Sequence, residues 1–565
     1  MTHDDDFFDP TGEEHEEYEE VLGGGSLSRR DVLARAAALG LALPAMTLLP
    51  GNTATARAAA FQRTARAPKG QIVFATRMSE LGDLHPFTAR LSRAMAVAYQ
   101  INEGLVKFAP DLSIVPGLAS SWSVSKNELV YTFRLRQGVK WHDGKAFSGD
   151  DVKFTFGAAV ATNSQSSART VLTTYIKRLR VSGNTVVITL REPYSPLLSV
   201  LATQLLILPA HRLRGNIYDA GFRQTPIGTG PFKITGRTSG ALTLAANPTY
   251  WGFRPYAAKI ILSDAPDTAS QQAGFLSGEL DVIAYVPTAM AGLRAQGFPV
   301  YAGAANSTHG IILDLQNPIL QDVRVRQALA LALDRKRAKQ LHYTGGILAD
   351  SVVSTAYGAY HDTKVREIPF DTAGANKILE DAGWKLDSKT GFRSKGGQEL
   401  QLRHYAWPAQ QWQDIAAIAQ ASWKKIGVDV KIVRADNSQI ATVVSGKYDV
   451  APLGLGLTND PISGLVQLLH TTNRTFKEGG TLNVFHYSNR EVDRVLDSAT
   501  RVSNRTARIK AAHLVQQRAR TGMPFIPIAY PALELITKKN IVLHERNKGL
   551  SGIAVGYFMS KWRVG

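Results

Sequence analysis

The chain has 565 residues, 44% of them hydrophobic and 20% charged. That is the composition of a globular protein too long for one core. It contains no cysteine, which excludes disulfides, thiolate metal sites, a cysteine nucleophile and a lipid-modified cysteine anchor. The net charge of +18 is uneven: residues 1–60 hold eleven acids and four arginines, so the remainder carries +25 by difference. These Lys and Arg are scattered, with no basic stretch interleaved by aromatics, so nucleic acid is not the expected partner. A solvated basic surface is favoured over a face for anionic membranes or a cleft for an anionic ligand.

The acid-dense stretch 4–20 predicts a disordered tail. Ser28-Arg29-Arg30-Asp31-Val32-Leu33 follows, then the apolar run 36–49, then Ala58-Ala59-Ala60. Arg29 and Arg30 before a short apolar stretch and a small-residue site make a twin-arginine export signal, with cleavage expected after Ala60. The run is too short, and too interrupted by Gly40 and Pro44, for a membrane span.

In the body, 71–76 reads as an apolar strand and 77–87 as a polar loop, followed by a helix over 94–103. Leu129, Tyr131, Phe133 and Leu135 alternate with Val130, Thr132, Arg134 and Arg136, the period of a strand with one buried face. His142-Asp143-Gly144-Lys145 makes a tight turn and not a catalytic pair, because Asp-Gly supplies the positive backbone angles turns need. Ser148 and Asp151 stand at capping-box spacing before a helix with Val152, Phe156, Ala159 and Val160 on one side. Strands 176–181 and 185–190 flank a Ser182-Gly183-Asn184 turn, and 197–208 is an apolar core element. The Gly-rich 226–232 lacks the spacing of either nucleotide-binding loop.

Further on, Asp322 caps a helix with Val325, Ala328, Leu329, Ala332 and Leu333 as its apolar stripe. Asp371 caps another, stopped at Gly383, and a third runs 412–426 to Gly427 before the alternating strand Val428, Val430, Ile432. Helix, glycine and strand in succession indicate α/β architecture. His309, His342, His404, His470 and His486 show no paired metal-ligand spacing, and no Gly-x-Ser-x-Gly elbow appears.

PGLASSW, YTFRLRQGVKWHDG, IGTGPFKI, NPTYWGFRPY, FLSGELDVI, NSTHGIILDL and DVRVRQALALALDR occur in that order. Together they resemble the family 5 solute-binding proteins of bacterial ABC importers, the peptide-, nickel- and opine-binding class. The resemblance spans roughly 70–540. It implies an α/β, two-lobed periplasmic-binding-protein fold (type II, cluster C-like) with a hinge, a ligand cleft and an extra peripheral subdomain. Lobe 1 is expected at 61–100, 236–308 and 530–565, its peripheral subdomain at 101–235, and lobe 2 at 309–529. Hinge crossings are expected near 303–312 and 523–529.

Ligands of α/β sheets collect beyond the carboxyl ends of strands. The expected contacts are Arg77 and Met78 (with Glu80 and Asp83 in the same loop), Asn306, Thr308, His309, Tyr405, Trp407, Leu457, Thr458 and Asn459. Each stands against a plain alternative, a solvated loop for the first group and core packing for Trp407. In peptide receptors of the resembled family a Trp and an Asp precede the proline matching Pro461, and the Asp pairs with the peptide's amino group. Gly454 and Leu457 occupy those positions, and Asp460 reads instead as the cap of a helix starting at Pro461. Free-amino peptides are therefore unexpected, and an opine, a sugar derivative, a blocked peptide or a metal chelate is favoured.

The resemblance implies a monomeric periplasmic receptor, exported by the twin-arginine machinery, that hands its solute to ABC permease subunits. No cofactor, resident metal or catalytic residue is expected. The alternatives are a periplasmic enzyme on the same scaffold or a ligand receptor for a membrane sensor.

Overall fold

The computed structural model describes residues 67–565, apart from 90, 110–111, 285–291, 437–447, 474–482 and 544–558. Arg29, Arg30 and the cleavage site expected after Ala60 lie outside the described residues. The helices and strands belong to the unit Pro68–Gly565 and build three principal sheets.

The alternating residues predicted around Tyr131 form the strand Val130–Leu135 of a four-stranded antiparallel sheet with Ala119–Val124, Thr185–Leu190 and Ile176–Ser182. Tyr131, Phe133 and Leu135 turn inward with Val186, Ile188 and Leu190. They pack against Val152, Phe156 and Ala159 of the helix Gly149–Val160. Ser148 and Asp151 form the reciprocal capping box read from their spacing. Asp151 also accepts from Ala210 N (2.9 Å) and the Trp141 indole (3.2 Å), so the cap fastens a neighbouring segment. Gly144 has φ +89°, as the Asp-Gly turn requires.

A seven-stranded sheet runs in the order Val300–Ala304, Ala532–Thr537, Val282–Ala284, Gln71–Thr76, Lys259–Asp264, Ala241–Ala246, Phe232–Arg237. Phe232–Arg237, the strand that straddles the boundary of 235 expected for the peripheral subdomain, belongs wholly to it. The Gly-rich stretch ahead of that strand is a structural joint. A side chain at Gly228 or Gly230 would strike the carbonyls of Ile101 and Gln100. Between the two glycines, Thr229 donates to Glu103 Oε2 at 3.0 Å. Trp251 Nε1 (2.7 Å), Tyr250 OH (2.9 Å) and Lys107 Nζ (2.6 Å) also donate to Glu103, so a buried carboxylate gathers residues of two separate motifs together with Lys107.

The third sheet has six strands, ordered Ile347–Leu348, Phe525–Tyr530, Ser307–Leu313, Val450–Gly456, Gln401–Ala406, Asp429–Arg434. Asp322 caps Val323–Ala332 and Asp371 caps Thr372–Asp381, as predicted. The 412–426 helix spans Gln410–Lys424, and Gly427 (φ +76°) turns the chain into its strand. Among the described residues the chain passes between the seven- and six-stranded sheets twice. It crosses at Ala305–Asn306 and again at Pro531, beyond the interval 523–529 expected for the second crossing. The crossings lie side by side, with Ala305 N donating to Pro531 O at 2.8 Å.

Candidate ligand-binding site

Strand register decides which ends face the crossings. Ser307 pairs with Gly456 and His309 with Gly454, antiparallel, and His309 also pairs with Ala529. Gln401–Ala406 runs parallel to Val450–Gly456. The start of Ser307–Leu313 and the carboxyl ends of its neighbours therefore share one edge of the six-stranded sheet, the edge where the chain crosses. In the seven-stranded sheet, Ala304 pairs with Ala532 at the crossing, and Val282–Ala284 is antiparallel to Ala532–Thr537. Gln71–Thr76 is parallel to Val282–Ala284, so Thr76 and Arg77 also lie toward the crossing. The expected contact residues thus fall on the edges that flank the two connections, where strand termini leave backbone groups unpaired by the ladders.

The residues at these edges serve different ends. Arg77 is exposed, donates to the Pro266 carbonyl (2.5 Å) and lies 3.6 Å from Glu80, which also accepts from Arg93. Asp83 is held by Arg223 at 2.6 Å; burial opposes its ionisation, but the arginine and neighbouring hydrogen bonds leave its carboxyl below the usual range. Met78 is buried in the core of the seven-stranded sheet, with only its backbone N–H reaching the edge, where Asp264 accepts it.

On the six-stranded sheet, Thr308 is buried with its hydroxyl on Val352 O (3.2 Å). Trp407 is core, 3% exposed, and its indole N–H donates to Pro452 O at 2.7 Å. That resolves the alternative in favour of packing, since the one donor on its ring is already used. Tyr405 is half-buried beside the guanidinium of Arg403, 6.0 Å from its ring centre. Asn306 and Leu457 are joined through Tyr357, whose hydroxyl reaches the carbonyls of Leu457 (2.6 Å) and Asn306 (3.2 Å). Tyr357 was missed in the sequence because its segment carries no periodic pattern.

Thr458 turns its hydroxyl to Asp460 O (2.7 Å), and Asn459 is half-buried beside it. Asp460 caps Pro461–Leu469, as read, and accepts from Arg508 on both carboxylate oxygens (2.5 and 2.6 Å). Burial would weaken the charge on Arg508, but Asp460 outweighs it and raises the guanidinium's pKa. The Leu457 side chain is 5% exposed in an apolar cluster with Trp407 and Ile462. No carboxylate therefore stands free in the segment from Leu457 to Pro461.

His309 is the most informative group at this edge. Gly454 lies directly opposite it on the same face, and a Cβ at Gly454 would sit 2.7 Å from His309 Nε2. The imidazole thus occupies the room that a side chain at position 454 would need. Its Nδ1 is 3.1 Å from Tyr343 OH, and its ring is 5.3 Å from that of Trp412. Burial pushes its pKa down to about 4, so the ring is neutral at physiological pH. At Gly456, two residues on, nothing lies within 4 Å of where a Cβ would stand, so the backbone is open there, a feature of strands that another group approaches closely. Among the described residues no three His, Asp or Glu side chains converge as a metal site, and no helix is long and apolar enough to cross a membrane.

Residues 113–476 match the model of the bacterial extracellular solute-binding proteins, family 5 (middle). The chain belongs to this family. It is 30% identical to Protein XP55 of Streptomyces lividans over 429 residues, covering 74% of this chain and 76% of the relative. It is 27% identical to heme-binding protein A of Haemophilus influenzae, covering 77% and 82%. Among solved structures it is similar to NikZ from Campylobacter jejuni in complex with Ni(L-His), with TM-score 0.71 and 27% identity over 88% of this chain and 100% of that one. The family 5 fold, the mixed α/β architecture of cluster C binding proteins, is thus shared along the described body. Family membership makes the chain a solute-binding protein of the kind that serves ABC importers.

Proposed function

We propose that this protein captures one small polar solute by closing its two sheet-bearing halves over it, then delivers it unchanged to membrane permease subunits. The observation that carries the reading is the pair of adjacent crossings, Ala305–Asn306 and Pro531, with strand termini from both sheets gathered at them. Two short parallel connections form a hinge, and small backbone rotations there swing whole lobes. Only contacts made in the closed form favour closure, because equal contacts in both states shift nothing.

The solute carries no free ammonium at the Leu457 position. Leu457 is buried among apolar side chains, and the nearby Asp460 is committed to Arg508 and to its helix. Leaving a buried ammonium unpaired costs about 3–5 kcal/mol. An opine, a sugar derivative, an amino-blocked peptide or a metal chelate fits better than an ordinary peptide. Arg29 and Arg30 assign export to the twin-arginine route, and the protein works as a periplasmic monomer.

Native mass spectrometry of the purified protein identifies a retained solute. Thermal-shift titration with one peptide in free-amino and N-acetylated forms then tests the recognition. The acetylated form, or neither, is expected to stabilise the protein; tight binding of the free-amino form alone would refute the assignment at Leu457. Chemical conversion of a bound solute would refute the receptor itself.

A further inference from the structure

The four-stranded sheet touches the half built on the six-stranded sheet far from the hinge in sequence, through groups that close one another's hydrogen bonds. The helix Arg490–Thr500 ends with carbonyls that its own turns cannot satisfy. Ser195 supplies the donors: its N–H reaches Thr500 O at 2.7 Å and its hydroxyl reaches Ala499 O at 3.3 Å. Ser503, just ahead of the helix Arg505–Gly522, gives both its N–H (3.0 Å) and its hydroxyl (2.7 Å) to Glu128 Oε1. Tyr194, the residue before Ser195, stacks on Tyr175 with ring centres 3.9 Å apart. Arg501 and Glu192 face each other at the rim, 4.0 Å apart. The end of one helix and the start of the next are thus held by residues 128 and 192–195 of the other half.

Glu128 carries an independent mark. It has φ +61°, the left-handed region that a glutamate adopts only at a cost, in a turn where Gly or Asn would be unstrained. The strain is retained where the side chain makes its long-range contact.

We propose that Glu128 and Ser195 form a clasp on Thr500 and Ser503 that biases the two halves toward closure before any solute arrives. The clasp rests on the reading of the halves as closing lobes. It lowers the free energy of the closed form without solute, so part of the bias that would otherwise come from ligand contacts is built into the chain.

The test uses the protein shown to be solute-free by native mass spectrometry. Because the chain has no cysteine, spin labels attach only at Lys177→Cys and Lys510→Cys, two exposed positions on either side of the contact. The unaltered clasp is expected to give one short, narrow distance distribution. Glu128→Gly with Ser503→Ala is expected to add a longer-distance population, raising the open-to-closed ratio about tenfold, the size of a lost hydrogen bond to a charged group. Glu128→Gly also relieves the left-handed residue, so the variant keeps its fold. The Ser195 amide, which these substitutions do not alter, is expected to exchange hydrogen about tenfold faster as the shared opening becomes more frequent.

A long-distance population that dominates the unaltered, solute-free protein would overturn the clasp and leave the hinge reading intact. Unchanged Ser195 exchange in the variant would also overturn the clasp, since the contacts would then be local. One fixed distance in every variant would sink the closing motion itself.

Discussion

His404 is the histidine whose environment gives the sharpest quantitative expectation. It is fully buried in the strand Gln401–Ala406, its Nδ1–H donates to the Tyr405 carbonyl (2.8 Å), and its ring lies 6.1 Å from Trp423. Its Nε2 is buried without a hydrogen-bond partner. Protonating that atom would place a charge where nothing accepts it, and burial holds the pKa down to about 4 from the ordinary 6.5. Because the unfolded chain takes up this proton first, stability is full above pH 6.5 and declines as pH falls toward 4. The loss attributable to this one ring is about 2 kcal/mol at pH 5 and approaches about 3 kcal/mol in stronger acid. His404→Gln removes the titration, so urea unfolding of the protein at pH 8 and pH 5 should show an acid loss about 2 kcal/mol smaller in the variant. His85 and His142, also depressed to about 4, contribute equally to both proteins and cancel. A His404 Cε1–H resonance titrating near 6.5 in the native protein, or equal acid losses in the two proteins, would refute the reasoning.

Asp460→Ala leaves Arg508 buried without its counter-charge and uncaps Pro461–Leu469, so a loss of about 3–5 kcal/mol in denaturant unfolding is expected, and a smaller one for Asp460→Asn. Gly454→Ala places a methyl against His309 Nε2, and the displaced, rehydrated imidazole should titrate well above 4 by histidine-selective NMR. Trp407→Phe strands the Pro452 carbonyl and should cost about 1–3 kcal/mol of stability, while leaving binding of any identified solute within a few-fold because the ring lies in the core.

Local signals in the chain translated into structure wherever they depended on neighbours a few residues away. The Ser148–Asp151 box, the caps at Asp322, Asp371 and Asp460, and the turns at Gly144 and Gly183 all rest on backbone geometry that residue type and spacing dictate. The motif DVRVRQALALALDR announced an amphipathic helix, yet the burial of its arginines was not legible. Arg326 lies on the carbonyls of Gly522, Met523 and Leu320, and Arg335 on those of Ala349, Pro527 and Ile368. An arginine looks solvent-facing in a helical pattern unless the carbonyls that receive it, distant in sequence, are known.

The sheet edges at the two crossings show the same division. The sequence alone determined that no cysteine can stand there, since the chain has none. Hydrophobic alternation and glycine stops also located the strands, while the expectation of which strand ends meet came from the resemblance to the family. Only the tertiary structure decided what each residue there does. Met78, Thr308 and Trp407 turn into cores, His309 fills the space left by Gly454, and Tyr357 ties Asn306 to Leu457. The physical reason is that the face a side chain presents, and the partner that satisfies it, are set by strand register and by packing between segments far apart in the chain, and neither is written in residue order.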